Sequence, residues 1–269
     1  MRRAVLAIIV SLGVSACSSG LFSSSPSAPQ NPPIEEPDSR RPTPPRDNRT
    51  RAKLHTELGA LYLQNQNLSV ALEELTMAIV IDPDYAEAHG TRGLVLYHIR
   101  EMELADRDFK QALALDPNDP ELNNNYGWFL CHVGREKEAI PYLQRAMNNP
   151  LYETPDRAYL NAASCYVKLG DLDSAEGLIQ HSLMIRPGNP QAELQLAEIN
   201  YRRGDLELAS QQLSDLVRRA KPSAEALWLI VRVERKRGDR LAEGRYSAKL
   251  RREFPLSPEA QELLKGNFE

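Results

Sequence analysis

The sequence predicts an all-α protein, a right-handed superhelical solenoid of about six two-helix repeats with a short C-terminal capping helix. Three observations carry that prediction. Outside the N-terminus the 269 residues are dominated by Ala, Leu, Glu and Arg, with aromatics at only 6%, the usage of a mostly helical chain. Small residues recur at matching places with a period close to 34. Pro83, Pro117, Pro187 and Pro255 mark the ends of successive units.

The first unit holds Leu58, Gly59, Tyr62, Ala71, Ala78 and Pro83. This resembles the tetratricopeptide pattern L-G-x2-Y…A…A…P. The second unit holds Gly93, Leu96, Ala105, Phe109, Ala112 and Pro117, and the third Gly127, Leu130, Ala139, Leu143 and Ala146. The fourth holds Ala163, Tyr166, Ala175, Ile179 and Pro187. The fifth holds Ala197, Ala209, Leu213 and Leu216, with Pro222 one place late. The sixth is degenerate but keeps Gly238, Leu250 and Pro255. Units start near residues 52, 86, 120, 156, 190 and 224, so only the step into the fourth departs from 34, by two residues. There NNPLYETP (148–155) carries Pro150 and Pro155, which force a longer connection. Gly or Ala at the eighth place, and Ala at the twentieth, let two antiparallel helices approach closely. SPEAQELL (257–264) supplies the capping helix that a stacked repeat array needs at its end.

The N-terminus reads differently. Arg2 and Arg3 precede a short apolar stretch, AVLAIIVSLGV (4–14), too short to cross a membrane as a helix. This is the layout of a signal peptide over residues 1–16. Val14-Ser15-Ala16-Cys17 is similar to a bacterial lipobox, so Cys17 is expected to be lipidated. Two or more acyl chains there give stable membrane attachment. Ser18, rather than Asp, follows the cysteine, which favours the outer membrane and a periplasm-facing body. Residues 17–51 are expected to form a disordered tether, with eight prolines in 18–51 and few large apolar residues, a composition that cannot bury enough surface to fold. As a flexible coil it would span roughly 30–35 Å. The solenoid is then expected over 52–269.

Charge and motifs narrow the function class. With 33 Lys and Arg against 37 Asp and Glu the formal net charge is −4, without the basic excess of a nucleic-acid binder. No H-E-x-x-H, G-x-S-x-G, Walker loop or CxxC appears among the five histidines and three cysteines, so no enzyme, metal, cofactor or small-molecule substrate is expected. His98 and His132 share place 13 of consecutive units, but two histidines without a third ligand make a poor metal site.

A protein partner is expected instead. In such repeats the first helix lines the concave groove, with places 2, 5, 9, 12 and 13 facing it. These places nominate Tyr97, His98, Asn124, Trp128, His132, Lys168, Tyr201, Arg202, Trp228 and Arg232, while Tyr126, Gly127 and Leu130 pack inward. Aromatic anchors such as Tyr97 and Trp128 suit capture of a peptide or helix. RVERKRGDR (232–240) reads as a solvated basic face or a docking site for an acidic partner.

Cys131 and Cys165 occupy the first helices of neighbouring units, in an oxidising compartment if the signal peptide operates. The two readings are an inter-repeat disulfide and a pair of buried thiols. The disulfide is favoured and would contribute roughly 3–4 kcal/mol in the chain-entropy model.

The signal, the Pro-rich tether and six repeats together resemble the PilW/PilF family of type IV pilus biogenesis and stability lipoproteins. LNNNYGWFLC (122–131) and NPLYETPDRAYLNAASCY (149–166) carry the specific part of the likeness. The resemblance implies an outer-membrane pilotin that binds a pilus or secretin component and promotes secretin localisation and multimer assembly. The alternative is a general envelope adaptor of the same repeat type, serving peptidoglycan hydrolases or outer-membrane protein assembly.

Overall fold

The computed structural model describes residues 47–268, which form thirteen α-helices and no strand. Six antiparallel pairs follow in order: α1 (Asn48–Gln64) with α2 (Leu68–Ile81), α3 (Ala86–His98) with α4 (Met102–Leu115), and α5 (Pro120–His132) with α6 (Glu136–Met147). Then come α7 (Pro155–Leu169) with α8 (Leu172–Ile185), α9 (Pro190–Arg203) with α10 (Leu206–Arg219), and α11 (Ala224–Arg237) with α12 (Arg240–Glu253). The short α13 (Pro258–Lys265) closes the array against α11 and α12. Each first helix also touches the first helix of the next pair, as stacking of a tetratricopeptide solenoid requires. No helix among the described residues is long and apolar enough to cross a membrane.

Local chemistry sets the helix ends. Pro120, Pro155, Pro190 and Pro258 open their helices, where the missing N–H costs nothing. The Asp119 side chain accepts from the Leu122 N–H at 2.7 Å, satisfying one orphan donor of α5. Within each pair one residue turns the chain with positive φ, and these residues keep the repeat: Gln66, Arg100, Gly134, Gly170, Gly204 and Gly238. Glycine adopts this left-handed geometry freely. The first two units hold Gln66 (φ 60°) and Arg100 (φ 70°) there instead, and so carry a strain that the later units avoid.

The eighth-place glycines are needed for space. A Cβ on Gly127 would stand 2.6 Å from Leu143 Cγ and 3.3 Å from the Ala139 carbonyl oxygen. The same place in the preceding units, Gly59 and Gly93, abuts Leu75 and Phe109. This contact lets α5 and α6 close over the largest core cluster, built from Leu96, Phe109, Tyr126, Phe129, Leu130 and Leu143. Each such side chain contributes roughly 1.5–3 kcal/mol by burial.

One boundary differs from expectation. Helix α1 starts at Asn48, so residues 48–51 are helical rather than part of the tether. Arg49 explains this: its guanidinium pairs with Asp82 at 3.0 Å, donates to the Asp84 carbonyl at 3.2 Å and lies over the Tyr85 ring. A residue that composition assigns to solvent is thus fixed by the turn after α2. The signal peptide, Cys17 and the rest of the tether lie outside the described residues. The insertion before α7 is also tied down. Tyr152 is buried and its hydroxyl donates to Glu121 Oε2 at 3.0 Å, while Asn149 Nδ2 donates to the Asn118 carbonyl at 3.0 Å.

Candidate functional site

The three consecutive asparagines of α5 have three different surroundings. Asn123 is buried and donates to the Pro117 and Asp119 carbonyls at 2.9 and 2.8 Å, holding the turn before the helix. His89, 34 residues earlier, makes the matching contact to the Pro83 carbonyl at 2.9 Å. Asn124 is also buried, but its Oδ1 accepts from Asn161 Nδ2 of α7 at 2.8 Å. Asn125 is half-buried and borders open space.

That space is a cleft of about 630 Å³ along the first helices of the pairs. Leu94, His98, Asn124, Asn125, Trp128 and His132 line one side, and Leu160, Asn161, Ser164, Gln191 and Gln195 the other. Asp156, Arg157, Arg186 and Asn189 form a charged end, where Arg186 pairs with the buried Asp156 at 3.3 Å. Between the two ends the wall is mostly uncharged amide and hydroxyl. Gln195 Nε2 donates to Ser164 Oγ at 3.0 Å, but Gln195 Oε1 is buried without a hydrogen-bond partner. A buried acceptor left unmade costs about 1–3 kcal/mol.

Trp128 is the aromatic feature of the cleft. Its ring meets Tyr97 edge-on at 4.8 Å and His132 at 4.3 Å, and Tyr97 in turn packs against Phe129. The indole is therefore held from behind, and Trp128 stays half-buried at the cleft wall. The His132 imidazole bonds to the Trp128 carbonyl through Nδ1 at 2.8 Å. Its pKa lies below the ordinary histidine value, chiefly through desolvation and also through the Lys168 charge, against the opposing carbonyl bond.

Behind this wall a polar network ties α4, α5 and α6 together. The Tyr126 hydroxyl donates to Asp106 Oδ1 at 3.0 Å, and Arg135 reaches the same oxygen at 2.8 Å. Burial, reinforced by the Asp106 charge, pushes the Tyr126 pKa well above the phenol range. Desolvation would raise Asp106, but hydrogen bonds from Lys110, Arg135 and Tyr126 hold it below the usual carboxylate range.

Of the ten groove residues nominated by register, His98, Asn124, Trp128 and His132 line the cleft, and Tyr97 backs it. The other five lie outside. Lys168 Nζ donates to the Cys131 carbonyl at 2.8 Å, bridging α7 to α5. Tyr201 is buried under Arg232 and Lys236, whose charged groups sit 4.6 and 4.2 Å from its ring centre. Arg202 pairs with Glu198 at 2.8 Å, and Arg232 approaches the same carboxylate at 3.7 Å. Trp228 stacks on Phe268, so the C-terminal segment covers the face that register alone turns toward a ligand. Register missed Asn125, Asn161 and Gln195. All three hold the sixth place of their units, the signal that would have found them. Cys131 and Cys165 are both buried and face each other between α5 and α7, paired, with Cα atoms 5.5 Å apart.

A stack of helical pairs with an open cleft on its first helices defines the class: a tetratricopeptide-repeat scaffold. Tetratricopeptide-repeat models match residues 58–121, 109–140 and 156–189. The crystal structure of PilW, described as a widely conserved type IV pilus biogenesis factor, shares 31% identity and superposes with a TM-score of 0.70, covering 79% of this chain and 98% of that one. The solved PilF of Pseudomonas aeruginosa shares 28% identity at a TM-score of 0.65, over 81% of this chain and 99% of that one. The curated sequence of the type IV pilus assembly protein PilF from that organism is 28% identical over 209 residues, 78% of this chain and 83% of its own length. The chain belongs to this PilW/PilF family of tetratricopeptide-repeat proteins of type IV pilus biogenesis.

Proposed function

We propose that the chain is an outer-membrane-anchored pilotin whose concave cleft holds an extended segment of the pilus secretin or of another pilus-assembly protein. The observation that carries the reading is the amide-lined cleft beside a braced, half-exposed Trp128. An extended segment presents backbone N–H and C=O groups at regular intervals. Asn125, Asn161 and Gln195 line the cleft with amides, a group that can both donate and accept hydrogen bonds. Trp128 then takes an apolar side chain of the segment, as buried aromatic anchors do in most interfaces.

Anchoring supplies the rest. Lipidated Cys17, after a signal peptide over 1–16, restricts the body to the membrane and raises its effective concentration for a secretin subunit arriving there. The tether of this proposal ends where α1 begins, at Asn48. The Cys131–Cys165 disulfide fixes α5 against α7 and so holds the two walls of the cleft at constant width.

Replacing Trp128 and Asn161 together by Ala is expected to abolish secretin multimers in envelope extracts while the circular dichroism of the purified protein stays unchanged. Full multimers with a folded double variant would defeat the cleft assignment. The Cys17→Ser chain should leave the membrane fraction after a high-salt wash, with the secretin mislocalised. Retention through that wash would defeat the anchor.

A further inference from the structure

The described chain is electrically lopsided. Residues 47–217 carry 15 Lys and Arg against 26 Asp and Glu, whereas 218–268 carry 13 against 7. Three of these arginines share the outward face of α12. Leu241, Gly244, Arg245, Ala248, Arg251 and Arg252 are all exposed and fall within about a third of the helix circumference at 100° per residue. No acidic residue lies in that stripe. Glu243 and Glu253 flank it, and both are engaged: Glu243 by Arg235 and Arg240, Glu253 by Arg252. Among the described residues Arg245 and Arg251 have no acidic partner. The second helices of earlier pairs differ, since α4 exposes Glu103 beside Arg107 and α6 exposes Lys137 beside Glu138.

Apolar side chains accompany the arginines. Leu241 opens α12 at 88% exposure, and Leu256, three residues past its end, is 87% exposed. Leu241 shares the stripe with the arginines, so an apolar side chain and several cations are presented together on one face. Such a face suits contact with a membrane interface, with the leucine at the acyl boundary and the arginines on phosphates. Guanidinium groups bind phosphate oxygens in bidentate fashion.

We infer that the outward face of α12 docks on an anionic phospholipid surface, with Arg245, Arg251 and Arg252 on headgroup phosphates and Leu241 inserted beside them. This contact is separate from the cleft, which lies on the first helices of the pairs, and from any acyl anchor. It would set which face of the solenoid the membrane sees.

The test uses the full chain with Cys17→Ser and one environment-sensitive dye on Ala248→Cys, mixed with vesicles containing phosphatidylglycerol. The dye reports contact at α12 whatever the N-terminus does. The expected result is a blue shift with these vesicles at low salt, lost at high salt because the attraction is screened. Arg245→Gln, Arg251→Gln and Arg252→Gln together should weaken partitioning about 100-fold, and Leu241→Ser about tenfold. All four side chains are exposed, so circular dichroism should show unchanged helix content. Three outcomes would overturn the inference: no shift with anionic vesicles, an equal shift with pure phosphatidylcholine vesicles, or a triple variant that partitions like its parent. A shift with an acidic peptide but not with vesicles would also overturn it, and would reassign the face to a protein partner.

Discussion

The ledge formed by α5 and α7 and the ledge formed by α9 and α11 occupy equivalent positions in the stack, and both carry aromatic residues where a ligand could meet them. They end in opposite states. At α5 the indole of Trp128 is braced from behind by Tyr97 and faces an open cleft. At α9 and α11, Tyr201 is roofed by Arg232 and Lys236, and Trp228 is covered by Phe268. The repeat supplies the position, and the neighbours decide whether it is a site. Cations and a chain end can consume an aromatic face that spacing alone presents as free.

Four measurements bear on that contrast. The largest effect is expected at Gly127, whose substitution by Leu forces α5 from α6 beneath the open ledge. Overpacking against Leu143 and the Ala139 carbonyl should cost about 3 kcal/mol or more in urea unfolding. Gly177, whose Cβ would meet nothing within 4 Å, should instead tolerate Ala and gain about 0.5–1 kcal/mol. Next, opening the Cys131–Cys165 pair by reduction or by Cys165→Ala should lower stability by about 3–4 kcal/mol. Equal unfolding midpoints with and without reductant would show that the central ledge does not depend on it.

The sharpest test of the contrast pairs two tryptophans. Trp128→Ala should weaken partner binding by about 2–4 kcal/mol and change unfolding less. Trp228→Ala should do the reverse, leaving binding within about 0.5 kcal/mol while lowering stability through the lost stack on Phe268. Matching losses of binding in a pull-down would erase the distinction between the ledges. The smallest effect concerns pH. The folded state holds the His132 pKa below its unfolded value, so below about pH 6.5 the unfolded chain takes up the proton first and stability declines as pH falls. The decline stops once the folded imidazole also protonates. His132→Gln should remove this part of the pH dependence in unfolding curves compared at neutral and mildly acidic pH.

Much of the fold was legible because packing between paired helices leaves a strict mark. Gly59, Gly93 and Gly127 stand where no Cβ fits, and Pro120, Pro155, Pro190 and Pro258 stand where helices begin. The site was less legible. Asn123, Asn124 and Asn125 look alike in sequence, yet one holds a turn, one bridges two repeats and one borders the cleft. Which of these an asparagine does depends on what packs beside it: Asn123 meets the nearby Pro117 carbonyl, whereas Asn124 meets Asn161, 37 residues away. Arg49 was read as tether for the same reason, since its partners Asp82 and Asp84 are more than thirty residues away.

By itself the sequence determined the period, the helix pairs, the irregular step before α7 and the family, because each is written in residues that must be small, cyclic or aromatic at fixed spacing. Only the tertiary structure decided which register positions stay open, since burial and ion pairing between repeats are properties of neighbours in space. Trp128 and Trp228 hold the ninth and fifth places of their repeats, both groove positions by register; one borders a cleft and the other stacks on a phenylalanine.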